Sequence, residues 1–386
     1  MGWSRVVGVI SGTSMDGVDV AVADLTIHGD TVDLVPVDHW STDYPADLRA
    51  DLLAALPPNG CTAERLCRLD TGVGQAFGAA AAAAGPADLV ASLGQTLFHW
   101  VDGTACHGTL QLGQPAWIAE ATGLPVVSDL RTRDVAAGGH GAPLAGVLDR
   151  LLLAEPGTAA LNIGGIGNVT VNGVAFDTGP GNALLDAAAR DRLGTDLDSN
   201  GATAAKGTVR HDLLAILLAD PYYAAPPPKS TGKEHFNSDL LAAALARVPA
   251  VADADLFATL VALTARTIAD ACRGVTRVLA SGGGADNPTL MAAIAAELAP
   301  ATLGTTEDIG LPVDGKEAYL AALLGFLTWH GVPVDPGTGA SGPRILGSIT
   351  PGRGSLSLPE PHTELVRGLR LITPVPEPAG GTCAGP

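Results

Sequence analysis

Residues 5–27, RVVGVISGTSMDGVDVAVADLTI, set two runs rich in β-branched side chains on either side of a glycine-containing turn. Such side chains fit a pleated, half-buried surface, so the stretch reads strand, tight loop, strand. A second block of this kind lies near 159–178, where TAALNIGG, NVTVNG and VAFDTG give three short strand signals. After the first block come helical patterns at about 46–56 and 62–84, a buried strand DLVASL and a loop GQTLFH. After the second come helices at about 181–193, 201–219 and 252–272, then a strand RVLAS running into a glycine turn. Strand-rich blocks headed by glycine loops thus occur twice, as two related α/β lobes would have them.

The length agrees, because 386 residues exceed the roughly 250–300 at which a single core stops growing. The expectation is one lobe over 1–157, completed by a helix near 314–330, a second lobe over 158–312, and a cleft between them. After Ile349 the chain turns Pro- and Gly-rich, and 353–386 reads as a mobile extension unable to bury much apolar area.

Charge excludes some partners. Lys and Arg number 22 against 40 Asp and Glu, a formal charge of −18 that repels nucleic acid and anionic lipid at long range. No run approaches the ~20 apolar residues of a membrane span, so no membrane partner is expected. Five cysteines with no CxxC pair read as scattered free thiols of a reducing cytoplasm.

The chemistry-bearing signals are glycine turns at strand ends. SGTSMDGVD puts Gly12, Thr13, Ser14 and Gly17 in a hairpin turn, where consecutive backbone N–H groups and two hydroxyls can face an anion. NIGGIGN carries Gly164 and Gly165, DTGPGN carries Gly179 and Gly181 after Asp177, and SGGGADN carries Gly282, Gly283 and Gly284. Any one of them can be a turn that merely needs positive φ. Four at strand ends fit a cleft for polyphosphate. SGTSMDGVD is not a Walker A loop, since no Lys follows its glycines and no helix begins there, and none of the four turns is a GxGxxG. His99, His107 and His140 lack a partner at ligand spacing and rank below Asp177 as acid or base.

These motifs carry a resemblance. GVISGTSMDGVD, GQTLFH, QPAWIAEATGLPVVSDLRTRDVAAGGHGAPL, LNIGGIGNVT, FDTGPGNALLD, PPPKSTGKEHFN, SGGGADN and GKEAYLAALLGF together look like the 1,6-anhydro-N-acetylmuramic acid kinases, in order from residue 8 to about 352. Leu130, Gly167 and Ser281 depart from the family's usual aromatic, alanine and cysteine.

The resemblance implies two actin-like, ribonuclease H-like lobes closing on ATP, and hydrolytic opening of the anhydro ring coupled to phosphorylation of O6. It also implies a homodimer. Asp177 is then the base that activates water. Gly12, Thr13, Ser14, Met15, Asp16, Gly17, Val18 and Asp19 wrap the β- and γ-phosphates, with Asp16 and Asp19 orienting Mg2+ through water. Gly164, Gly165, Gly179, Gly181 and Asn182 join the nucleotide site, and Gly282 to Ala285 lie against adenosine. On the sugar side, Arg131 would meet the lactyl carboxylate with its planar fork, Arg133 being the rival, while Thr96 and Glu317 contact the sugar. Alternatives are a kinase of another anhydrosugar such as levoglucosan, and a non-catalytic nucleotide sensor. Lys229 and Lys233 read as loop residues that can reach phosphate.

Overall fold

The structure, a computed structural model, describes residues 2–12, 14–56, 59–102, 105–153, 157–227, 229–232 and 235–372. Met1–Ala142 with Glu317–Pro386 form one compact unit, and Pro143–Lys316 the other.

In the first unit β1 (Ser4–Ser11), β2 (Gly17–His28) and β3 (Thr31–Asp43) form an antiparallel meander, and β4 (Leu89–Asp102) runs parallel to β1. β5 (Ala105–Leu112) folds back on β4, and β6 (Val126–Ser128) lies parallel on its other side. The second unit repeats the plan. β7 (Thr158–Ile163), β8 (Ile166–Val171) and β9 (Val174–Pro180) make the meander, while β10 (Arg277–Ser281) runs parallel beside β7 and β11 (Thr302–Thr305) parallel beside β10. Each sheet therefore has its first strand flanked by an antiparallel second and a parallel fourth, the doubled α/β plan expected from the two glycine-headed blocks.

Packing is set by small residues where elements approach closely. Helix Lys316–Trp329 lies across β1 and β4: a Cβ on Gly8 would stand 2.0 Å from the Ala318 carbonyl oxygen, and one on Gly325 2.2 Å from the Ala91 Cβ. Helix Ala63–Ala82, capped by the Thr62 hydroxyl, buries Leu69, Val73 and Phe77 against Val7 and Val9. In the second unit helix Asp253–Ala271 buries a face of Leu256, Phe257, Leu260, Leu263 and Ile268.

Three expectations are corrected. GQTLFH is not a loop, because β4 continues through it past a register shift near Gly94, where φ is +69°, and pairs with β5. The boundary falls at 142 and not 157, since helix Ala145–Leu152 packs in the second unit, where the Thr170 hydroxyl donates to Asp149 at 3.0 Å. Residues 353–372 are a docked segment, not a mobile extension. After β12 (Ser348–Thr350) the chain reaches β13 (Gly368–Leu371), which pairs parallel with β3, and Arg370 grips buried Asp33 with two bonds of 2.8 and 2.6 Å. Four residues with one buried Leu369 suffice for an edge strand, and the Pro/Gly background hides them. Residues 373–386 lie outside the described residues.

Candidate active site

Asp177 sits in β9 between two inward-facing neighbours, Phe176 and Thr178, so alternation along the strand turns its carboxylate to the half-open face. Its position is fixed at four atoms. Asn168 Nδ2 donates to Oδ1 and the Thr231 amide to Oδ2, both at 2.9 Å. The Asp177 amide donates to the Lys229 carbonyl at 2.9 Å, and the Tyr222 hydroxyl donates to the Asp177 carbonyl at 2.8 Å. A carboxylate has about four lone-pair sites, so two N–H donors orient it without exhausting it.

Asn168 follows from the hairpin itself. Asn172 and Gly173, with φ of +50° and +79°, form the two-residue turn that suits a hairpin, and the register then sets Asn168 opposite Asp177. Tyr222 and Thr231 come from far along the chain. Lys229, expected as a loop residue able to reach phosphate, donates to the Tyr222 and Tyr223 carbonyls at 3.0 and 3.3 Å, and burial lowers its pKa. Lys233 lies outside the described residues.

The glycines beside Asp177 are spent on one another. The amides of Gly181 and Ala183 donate to the Gly165 carbonyl, and that of Asn182 to the Gly164 carbonyl, at 2.8–2.9 Å. A Cβ on Gly181 would stand 2.3 Å from the Gly164 oxygen. The two turns therefore lock together at the start of helix Ala183–Arg192, and these amides do not form the open anion nest that glycine spacing predicts. SGGGADN behaves differently. Gly282 has φ +83° with Asn162 Oδ1 2.4 Å from its would-be Cβ, and Gly284 abuts Ile163, but nothing lies within 4 Å of a Cβ on Gly283. Gly283 is the open point of that turn, with Ala285 held by its amide to the Gly282 carbonyl at 2.8 Å.

In the first unit the Gly12–Asp19 hairpin is only in part a nest. The Met15 amide is used on the Gly12 carbonyl at 3.3 Å, and the Met15 and Val18 side chains are buried in the core, so neither side chain faces a ligand. Ser14 Oγ donates to Asp16 Oδ1 at 2.8 Å, and Ser41 Oγ to Asp19 Oδ1 at 2.5 Å. Gly17 allows β2 to meet β3, because a Cβ there would stand 2.3 Å from the Thr42 oxygen. Thr13 lies outside the described residues. Among the described residues no group of three His, Cys, Asp or Glu side chains could hold a metal directly. A magnesium ion that keeps its waters asks less, and the Asp16 and Asp19 carboxylates suit outer-sphere contact.

A polar cluster of the same unit surrounds Arg131. Its Nη1 donates to the Gly141 carbonyl at 2.9 Å, and its buried Nε has no partner among the described residues. Burial lowers the guanidinium pKa while the charge of Glu317, at the start of its helix, raises it. Asp134 accepts from the Gly141 amide at 2.8 Å and the Thr338 hydroxyl at 2.5 Å. Arg133 is exposed.

His99 and His140, ranked low from sequence, belong to this cluster: burial first, then the charges of Arg131 and His140, push the His99 imidazole below its ordinary pKa. Its Nδ1 lies 3.1 Å from Thr109 Oγ1, and Thr96 Oγ1 accepts from Gln111 Nε2 at 3.1 Å. A cleft of about 270 Å3 beside it is lined by Gly94, Thr109, Gln111, Ser128 and Thr132. A larger one of about 960 Å3, between helices Ala46–Leu53 and Ala63–Ala82, touches only Val18 of the residues named from sequence. Size does not mark the chemistry here.

The family described as anhydro-N-acetylmuramic acid kinase matches residues 4–352. The protein of that name from Streptomyces coelicolor is 54% identical over 95% of this chain and 99% of its own length. That from Rhodococcus erythropolis is 49% identical over 96% of this chain and 97% of its own. The chain belongs to the anhydro-N-acetylmuramic acid kinase family.

Proposed function

We infer that this chain is a kinase that uses ATP and water to open 1,6-anhydro-N-acetylmuramic acid and phosphorylate O6, giving N-acetylmuramic acid 6-phosphate in cell-wall recycling. One observation carries the mechanism: the Asp177 carboxylate, half-open, with each oxygen oriented by an N–H donor. Such a group can take a proton from water as the water attacks C1. The C1–O6 bonding pair then goes to O6, which attacks the γ-phosphorus, and ADP leaves. Water's oxygen stays on C1. Because phosphorus captures the leaving oxygen, no second carboxylic acid is needed, unlike an inverting glycosidase.

The other roles follow from what each group can offer. Arg131, with a buried Nε–H in want of an acceptor, holds the lactyl carboxylate, while Thr96 and Glu317 fix the sugar. Backbone at Gly12 to Asp19 steadies the phosphates, and the exposed backbone at Gly283 receives the adenosine end. Asp16 and Asp19 would hold the waters of a Mg2+ ion carried with ATP, which would supply charge neutralisation for the transferring phosphoryl group. The locked amides of Gly181 and Asn182 make the Gly164–Gly165 and Gly179–Asn182 turns supports for Asp177.

The test is to incubate the protein with ATP, Mg2+ and the anhydrosugar and weigh the product. A mass increased by one water and one phosphoryl unit is expected. Phosphorylation without ring opening, or ATP hydrolysis with unchanged sugar, would contradict the reading.

A further inference from the structure

Beneath the Gly282–Gly284 turn lies a buried charge the mechanism above does not use. Lys316, the last residue of the second unit, is 5% exposed, and its Nζ lies 2.7 Å from Asp149 Oδ1 and 3.4 Å from Ser281 Oγ. The ion-pair approach is off hydrogen-bond geometry, leaving Asp149 Oδ1 without a directed donor, while Thr170 Oγ1 donates to Oδ2 at 3.0 Å. Ser281 is wholly buried; its hydroxyl donates to the Leu161 carbonyl at 3.2 Å as it accepts from Lys316.

Lysine is almost never buried unless paired, and such a pair is weak evidence for stability, because an apolar pair of similar volume does as well. What this one does is geometric. Ser281 ends β10, and Gly282, with φ +83°, begins the turn directly after it. Asn162 and Ile163 wall the turn at Gly282 and Gly284. The Lys316–Ser281 bond fixes its root, so the placement of open Gly283 depends on the ammonium below.

We propose that Lys316 is a positioning residue for nucleotide: held by Asp149 and acting through Ser281, it sets the backbone path of Gly282–Gly284 and so the affinity for the adenosine end of ATP. The proposal rests on the reading of that turn as the adenosine platform.

Four full-length variants test it by KM for ATP, KM for the anhydrosugar and melting temperature. Lys316→Met together with Asp149→Leu leaves no unpaired charge, so the fold keeps its melting temperature, while KM for ATP rises about tenfold, worth one polar anchor of ~1.4 kcal/mol, and KM for the sugar stays within about twofold. Lys316→Met alone shows the same KM rise with a lower melting temperature. Ser281→Ala, which spares the ion pair, raises KM for ATP about threefold. Gly283→Leu, at an exposed point with room for a side chain, raises KM for ATP whatever Lys316 does. A double variant with wild-type KM for ATP, alongside an impaired Gly283→Leu, overturns the positioning role alone. A Gly283→Leu variant with wild-type KM for ATP overturns the platform reading beneath it.

Discussion

The surroundings of Asp177 and of Arg131 differ in how much of their polar capacity the chain itself uses. At Asp177 the amide, the carbonyl and both carboxylate oxygens have protein partners, and the flanking glycine amides are bonded to the Gly164 and Gly165 carbonyls. Among the described residues Arg131 Nη1 donates to the Gly141 carbonyl and the buried Nε–H has no partner. A buried donor without an acceptor costs about 1–3 kcal/mol. The difference is that the chain holds Asp177 from several sides and leaves Arg131 short of one partner among the described residues; under the proposed function the first would move a proton and the second would meet the substrate.

That contrast can be broken at either end. Asp177→Asn keeps the size and can still accept from Asn168, but it removes the base; kcat should fall at least ~10²-fold with melting temperature little changed. Arg131→Ala should cost about ten- to a hundredfold in kcat/KM on the muramyl substrate, the worth of a charged hydrogen-bond pair, and nothing on levoglucosan, which has no carboxylate. Equal losses on both sugars would remove the carboxylate role and turn Arg131 into a scaffold residue. Asn168→Ala takes away the side-chain donor on Asp177 Oδ1, so if that carboxylate is the base kcat should drop about three- to tenfold, the worth of a single bond.

A stability effect outside both regions sharpens the contrast, since it should leave specificity alone. His330 is buried with no partner for either ring nitrogen among the described residues, and burial, then the charge of His362, lowers its pKa from 6.5 to about 4. Between those values the unfolded chain binds a proton that the folded chain refuses. The contribution is therefore whole above pH 6.5 and is lost as pH falls toward about 4, up to roughly 3 kcal/mol. His330→Leu should flatten the fall in melting temperature between neutral pH and pH ~5. An unchanged slope would mean that other groups dominate acid unfolding.

Much of the architecture was legible because it rests on periodicity. The β-branched runs near 6–27 and 159–178 announced two strands in the first block and three in the second, and both sheets carry them, while β3 (Thr31–Asp43) was not read from the sequence. The position of glycine turns at strand ends was legible too, but not their use: composition does not say whether an amide faces outward, and those of Met15, Gly181 and Asn182 face their own chain. Asn168 could have been found by counting back from the Asn172–Gly173 turn to the residue opposite Asp177. Nothing local announces Thr231, 54 residues away from Asp177, or the docking of Arg370 on Asp33 across 337 residues. The surroundings of His99 were not legible because a histidine's neighbours lie across strands, and it is the β4–β5 hairpin that brings it to Thr109.

The most direct test of the central claim follows the oxygen of water. The reaction is run in heavy-oxygen water with wild type and with Asp177→Asn, and the product is quenched and fragmented before anomeric exchange. The account predicts one heavy oxygen on C1, none in the phosphoryl group, and little labelled product from Asp177→Asn. Label in the phosphoryl group, or C1-labelled product formed by Asp177→Asn at the wild-type rate, would contradict it.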